Sequence, residues 1–135
     1  MSNVRFINPD SLSKPPGYTQ VVETTGPGRT VFVAGQLGLD LNGKIVGAPG
    51  DFRAQAVQAM ENLKAALAAV GGTLTDVVKI TNYLVDINHL ALFREVRDQY
   101  FNKAAPPAST LVAITKLARE GALFEIEAIA VLPPR

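Results

Sequence analysis

The chain has 135 residues, of which 47% are hydrophobic and 19% charged, with a net charge of +1, no Cys and a single His. The missing Cys excludes disulfides, thiol nucleophiles and thiolate metal sites, and His89 alone cannot build a histidine metal centre. A balanced charge with no Lys/Arg run gives no footprint for nucleic acid, and no apolar window reaches the roughly 18 residues of a membrane span.

The size predicts one domain over residues 1–135. The charged fraction is below the roughly 25% usual in soluble domains, so spare apolar surface invites association. Met1-Ser2-Asn3-Val4-Arg5 lacks the apolar core of a signal peptide, and a cytoplasmic location is the expectation.

Val4 to Ile7 reads as a short edge strand, and Asn8 to Gly17 as a loop, because its prolines fix φ and remove donors. Tyr18 to Thr24 is β-branched and partly alternating, which predicts a strand. After the Gly26-Pro27-Gly28 turn, Thr30 to Gln36 predicts another, paired with it as a hairpin. Residues 37–50 are loop, with a short strand expected at Lys44 to Val46.

Asp51 is placed to cap a helix running to about Val70, with Val57, Met60, Leu63, Leu67 and Val70 at steps of three and four. Gly71-Gly72 ends it. Val77 to Val85 predicts a strand. A second helix runs from about Leu90 to Phe101, with Leu90, Phe93, Val96, Arg97 and Tyr100 on one side, and Pro106-Pro107 blocks its continuation. Strands are expected at Thr110 to Thr115 and Leu123 to Leu132.

This order predicts an α+β sandwich with two helices on one face of a mixed or mostly antiparallel sheet. Several strands are apolar on both faces, so the sheet's other face needs a cover. In the last strand Glu125 and Glu127 stand at i and i+2 and share a face. A carboxylate in an apolar strand is paired, hydrogen-bonded or functional.

Several segments in this order resemble the reactive intermediate deaminase (YjgF/YER057c/UK114) family. Pro16-Gly17-Tyr18 resembles the family's Gly-Pro-Tyr, with Pro and Gly exchanged. Val33-Ala34-Gly35-Gln36 resembles its Ser-Gly-Gln. Asp76 to Thr81, Pro107-Ala108 and Glu125-Ile126-Glu127-Ala128-Ile129-Ala130 match further segments. The resemblance implies a chorismate-mutase-like fold of six or so strands, a homotrimer with a central barrel, and ligand clefts between subunits. It implies hydrolysis of enamines and imines, such as 2-iminobutanoate, to 2-keto acids and ammonia. No cofactor, metal, nucleic acid or membrane is expected, and the partner is a small molecule.

In this resemblance Glu125 is the acidic residue that handles the attacking water. Glu127 is expected in a structural ion pair. Ser109 stands where the family carries a substrate-gripping Arg, so the range of substrates is expected to be altered. Arg94 is the candidate for a relocated guanidinium, and Arg97 has a lesser claim. Tyr18, Gly35, Ser109 and Thr110 complete the expected binding residues, while His89 is expected to cap or lie at the surface. The alternative reading is a trimer of the same fold that binds a small metabolite without turning it over.

Overall fold

A computed structural model describes residues 3–135. It contains strands β1 (Val4–Ile7), β2 (Val21–Thr24) and β3 (Arg29–Leu37), helix α1 (Phe52–Ala68), strand β4 (Val77–Leu84), helix α2 (Leu90–Tyr100), and strands β5 (Ala108–Ala113) and β6 (Phe124–Leu132). The six strands divide into a β1–β2 pair and a four-stranded sheet of order β3-β6-β4-β5. In that sheet β4 and β5 run parallel and the other pairs antiparallel. This is the expected α+β arrangement.

The hairpin expected between β2 and β3 does not form. β2 pairs with β1, from Val4 opposite Thr24 to Ile7 opposite Val21, while β3 pairs with β6. The Gly26-Pro27-Gly28 turn, with Gly26 at φ +77°, carries the chain between the two groups of strands. Strand β2 also starts later than Tyr18. Thr19 is held instead against β5: its amide donates to the Pro107 carbonyl at 3.2 Å and it bridges to Ala108. Of the strand expected at Lys44 to Val46, only a bridge between Leu39 and Ile45 forms.

Helix α1 follows its sequence signals closely. The Asp51 carboxylate accepts from the Ala54 amide at 3.0 Å, satisfying a donor that the first turn leaves free. At the other end Gly71 sits at φ +80°, and the Gly72 amide reaches the Leu67 carbonyl at 2.8 Å. Met60, Leu63 and Leu67 are fully buried.

The core lies between the helices and one sheet face. Ile80 and Leu84 of β4, Phe124, Ile126, Ala128, Ala130 and Leu132 of β6, and Phe93 and Val96 of α2 meet there. Each large apolar side chain so buried contributes about 1.5–3 kcal/mol. Phe124 anchors the cluster, with ring centroids 5.7 Å from Phe93 and 5.8 Å from Phe52. Gln55 is buried too, but satisfied: its Nε2 donates to the Gly121 carbonyl at 3.1 Å and its Oε1 accepts from the Leu123 amide at 2.8 Å. It ties α1 to the start of β6.

The opposite face of the sheet carries the alternate residues of each strand: Phe32, Lys79, Thr81, Tyr83, Thr110, Val112, Glu125, Glu127 and Ile129. Phe32 is 76% exposed there. The helices cover one face only.

Candidate functional site

Glu125 lies on the open face, on β6, with Tyr83 of β4 as its cross-strand partner. Its carboxylate turns toward Gly35 on β3 and fills the space that a Cβ on Gly35 would need; such a Cβ would stand 2.7 Å from the carboxyl carbon. The geometry comes from a bulge: three steps along β3, from Val33 to Gln36, match two along β6, from Ala128 to Ile126. Gly35 is therefore both the bulge and the point of close approach.

The Glu125 carboxylate accepts no hydrogen bond from any described residue, although the residue is half-buried. Its pKa lies above the ordinary carboxylate value, first because burial penalises the charge and then because Glu127 is near. A cleft of about 400 Å³ opens beside Gly35, lined also by Gln36, Asp40 and Asn62. A second cleft of about 390 Å³ lies between Phe6 and Val131, with Asp76 in its lining.

Glu127 is exposed and accepts from the Tyr83 hydroxyl at 2.7 Å; among the described residues it has no ion pair. The expected structural ion pair is thus a hydrogen bond to a phenol, whose pKa rises chiefly for that reason. Lys79 shares this face. Its ammonium donates to Thr81 Oγ1 at 3.1 Å and to Thr110 Oγ1 at 3.3 Å, and burial lowers its pKa against the opposing pull of Glu127.

Ser109 lies on the other face, although it adjoins Thr110 in sequence. It is the strand partner of the core residue Ile80, and its hydroxyl accepts from Asn82 Nδ2 at 3.1 Å. Asn82 is fully buried, also donates to the Thr110 carbonyl at 3.1 Å, and leaves Oδ1 without a partner among the described residues. Gly17, Tyr18 and Thr19 pass this edge of the sheet, with Tyr18 half-buried and its hydroxyl free of described partners.

The expected residues are therefore divided. Gly35 and Glu125 are together on the open face; Ser109 is on the helix side of β5, and Tyr18 lies in the segment that passes the start of that strand. Thr110 sits on the open face beside Lys79. Arg94 is exposed on α2 and makes no hydrogen bond or ion pair with a described residue. Arg97 instead is buried, with its guanidinium against Gly17.

Two residues at the site escaped the sequence reading. Asn82 stands in register with Ile80 and Leu84, so a polar residue at a core position was the available signal. Tyr83, across from Glu125, carried none. His89 does not cap α2 with its side chain; its ring stacks on Phe52 at 4.6 Å between centroids. Among the described residues no group of three His, Asp or Glu could hold a metal ion, and no helix is long and apolar enough to cross a membrane.

Residues 10–132 match the family model described as Endoribonuclease L-PSP. The chain is 41% identical over 123 residues to a RutC family protein of Pyrococcus horikoshii, covering 90% of this chain and 92% of that one. It is 40% identical over 131 residues to the 2-iminobutanoate/2-iminopropanoate deaminase of Rattus norvegicus, covering 92% and 89%. Among solved structures, a protein of unknown function of the conserved Rid family from Yersinia pestis matches with a TM-score of 0.83 at 35% identity, covering 96% of this chain and 99% of that one. The chain belongs to the Endoribonuclease L-PSP family, that of the YjgF/Rid proteins.

Proposed function

We propose that this chain is an imine and enamine hydrolase, releasing a carbonyl product and ammonia, with Glu125 as the group that handles water. One observation carries the reading: a half-buried carboxylate with a raised pKa that accepts from no donor among the described residues. Such a group is free to accept from a water molecule, and its raised basicity suits it to take that water's proton. The relatives named as 2-iminobutanoate/2-iminopropanoate deaminases support it.

The step balances simply. Water adds its oxygen to the carbon of the protonated imine while Glu125 takes one proton and the C=N π pair moves to nitrogen. Glu125 returns that proton to the carbinolamine nitrogen and then takes the hydroxyl proton as the C–N bond breaks, so that the carbonyl forms and the nitrogen leaves as ammonia, which carries off the last proton as ammonium. Hydrolysis of a protonated imine asks for little beyond a positioned water.

The proposed site lies between copies of the chain in a homotrimer, which also gives the open sheet face its cover. The split of the candidate residues over two sheet faces supports this, because one copy presents Glu125 and Ser109 in different directions. The substrate range is altered because Ser109 offers one hydroxyl, already engaged by Asn82, and no charge. A cytoplasmic location goes with this reading.

Imines generated in situ, with and without a carboxylate beside the C=N carbon, supply the test. The protein should accelerate the decay of at least one above the solvent rate. Decay at the solvent rate for every imine would leave a binding protein.

A further inference from the structure

Glu127 stands between two groups on the open face that draw it in opposite directions. The register places Tyr83 opposite Glu125, Thr81 opposite Glu127 and Lys79 opposite Ile129. Opposed side chains on one face stand about 4.5–5.5 Å apart at Cβ, and successive rows along a strand about 7 Å apart. The order along the face is therefore Glu125 with Tyr83, then Glu127 with Thr81, then Lys79. The Tyr83 hydroxyl reaches one row diagonally and donates to Glu127 Oε1 at 2.7 Å. Lys79 pulls from the other side. Its ammonium feels the charge of Glu127, yet among the described residues it makes no ion pair and donates to the Ile80 carbonyl and the Thr81 and Thr110 hydroxyls.

Few other charges act on Glu125. β3 presents Gly35 and Leu37 to it, and the same row ends at Val112 of β5, all uncharged. Asp40 shares the cleft that Gly35 lines, but its Oδ1 is engaged in its own loop by the Asn42 and Lys44 amides. Tyr83 of β4 and Glu127 of β6 complete the set, with Lys79 beyond them. Glu127 is exposed and accepts from no described group but Tyr83, so that one bond sets where its carboxylate lies. The bond also holds the phenol proton in place, since the Tyr83 pKa is raised chiefly by it.

We propose that Tyr83 is a positioning residue for Glu125: its hydroxyl holds the Glu127 carboxylate on the Glu125 side of the open face, away from Lys79, and so keeps a like charge beside the water-handling group. A nearby like charge disfavours the ionised carboxylate and makes it the stronger base. Without the hydroxyl, the Glu127 carboxylate turns toward Lys79 and solvent, and that charge recedes from Glu125. Tyr83 thus acts through Glu127 and touches no reacting atom. Its place in catalysis rests on the proposed hydrolase function; the coupling of the three side chains does not.

The test uses the full chain with glutamate labelled at its carboxyl carbon, and follows the Glu125 titration by carbon NMR, the signal being assigned by its loss in Glu125→Gln. Tyr83→Phe removes only the hydroxyl and should titrate Glu125 at lower pH than the wild type. Glu127→Gln should move it the same way and at least as far, since the whole charge is gone. Because Tyr83 acts only through Glu127, the double variant should move it no further than Glu127→Gln alone. The acid limb of the pH–rate profile for imine hydrolysis should follow the same order. A merely structural Tyr83 would lower the melting temperature and leave the Glu125 titration where it is. A Tyr83→Phe that titrates Glu125 as the wild type does, or at higher pH, overturns the proposal, as does a double variant whose displacement is the sum of the two single ones. Should Tyr83→Phe fail to fold, a Glu125 titration unmoved by Glu127→Gln has the same force. A chain that accelerates no imine, yet shows the expected order of titrations, would remove the hydrolase function and uphold the coupling.

Discussion

The carboxylate of Glu125 occupies the space that a side chain on Gly35 would take, so the two strands β3 and β6 position it together. Gly35 is not at positive φ, and its backbone would accept alanine. The added methyl must push the carboxylate aside, which a flexible side chain does at small cost. Gly35→Ala should therefore lower imine hydrolysis about tenfold or more, since a misplacement of about 1 Å is enough to cost that much, while thermal stability changes little. Equal losses of activity and stability would point to a structural role for the glycine instead.

The pH dependence follows from the raised Glu125 pKa. Hydrolysis needs the ionised carboxylate, so activity should fall on the acid side through a pKa above the ordinary value of about 4.3. Glu127→Gln removes a like charge and should move that limb toward lower pH. A limb that stays put in the pH–rate profile would mean that desolvation alone sets it. The stability consequence has the opposite sense to the usual carboxylate. The fold favours the protonated form, so the contribution of Glu125 is present below its unfolded pKa and is lost as pH rises through the folded one. Glu125→Gln should then cost no stability at pH 7, as read by denaturant unfolding.

Phe32 stands 76% exposed on the face opposite the helices. In a homotrimer this face is buried, and light scattering should give three times 14.4 kDa. Phe32→Glu should shift the mass toward 14.4 kDa, because an unpaired charge at a covered apolar position is strongly unfavourable. A wild-type monomer would contradict the shared site.

Gln55 satisfies a carbonyl and an amide at the start of β6. Gln55→Leu keeps the volume but strands both groups, and should cost about 2–4 kcal/mol in urea unfolding. The loss should appear in stability before it appears in ligand binding.

The elements built on local signals were legible in the sequence. Asp51 and Gly71 mark the two ends of α1 by capping chemistry that involves only their near neighbours. The partner of β2 was not legible, because its pattern would suit either β1 or β3, and what decides is Thr19, held to residues some ninety positions away. Glu125 was visible as a carboxylate in an apolar strand, whereas its bond-free state depends on the bulge in β3. Arg97 interrupts the apolar stripe of Phe93, Val96 and Tyr100, a signal the stripe itself displayed. Its separation from Arg94 needed the helix docked: one residue faces solvent and the other Gly17.

The most direct test of Glu125 as the water-handling group is the ammonia released from imines generated in situ by the wild type and by Glu125→Gln, at equal concentration and with matched melting curves. Glutamine keeps the shape but cannot take a proton, so release should drop to the solvent rate for every imine the wild type accelerates. A folded Glu125→Gln that releases ammonia at the wild-type rate would place the catalytic base elsewhere.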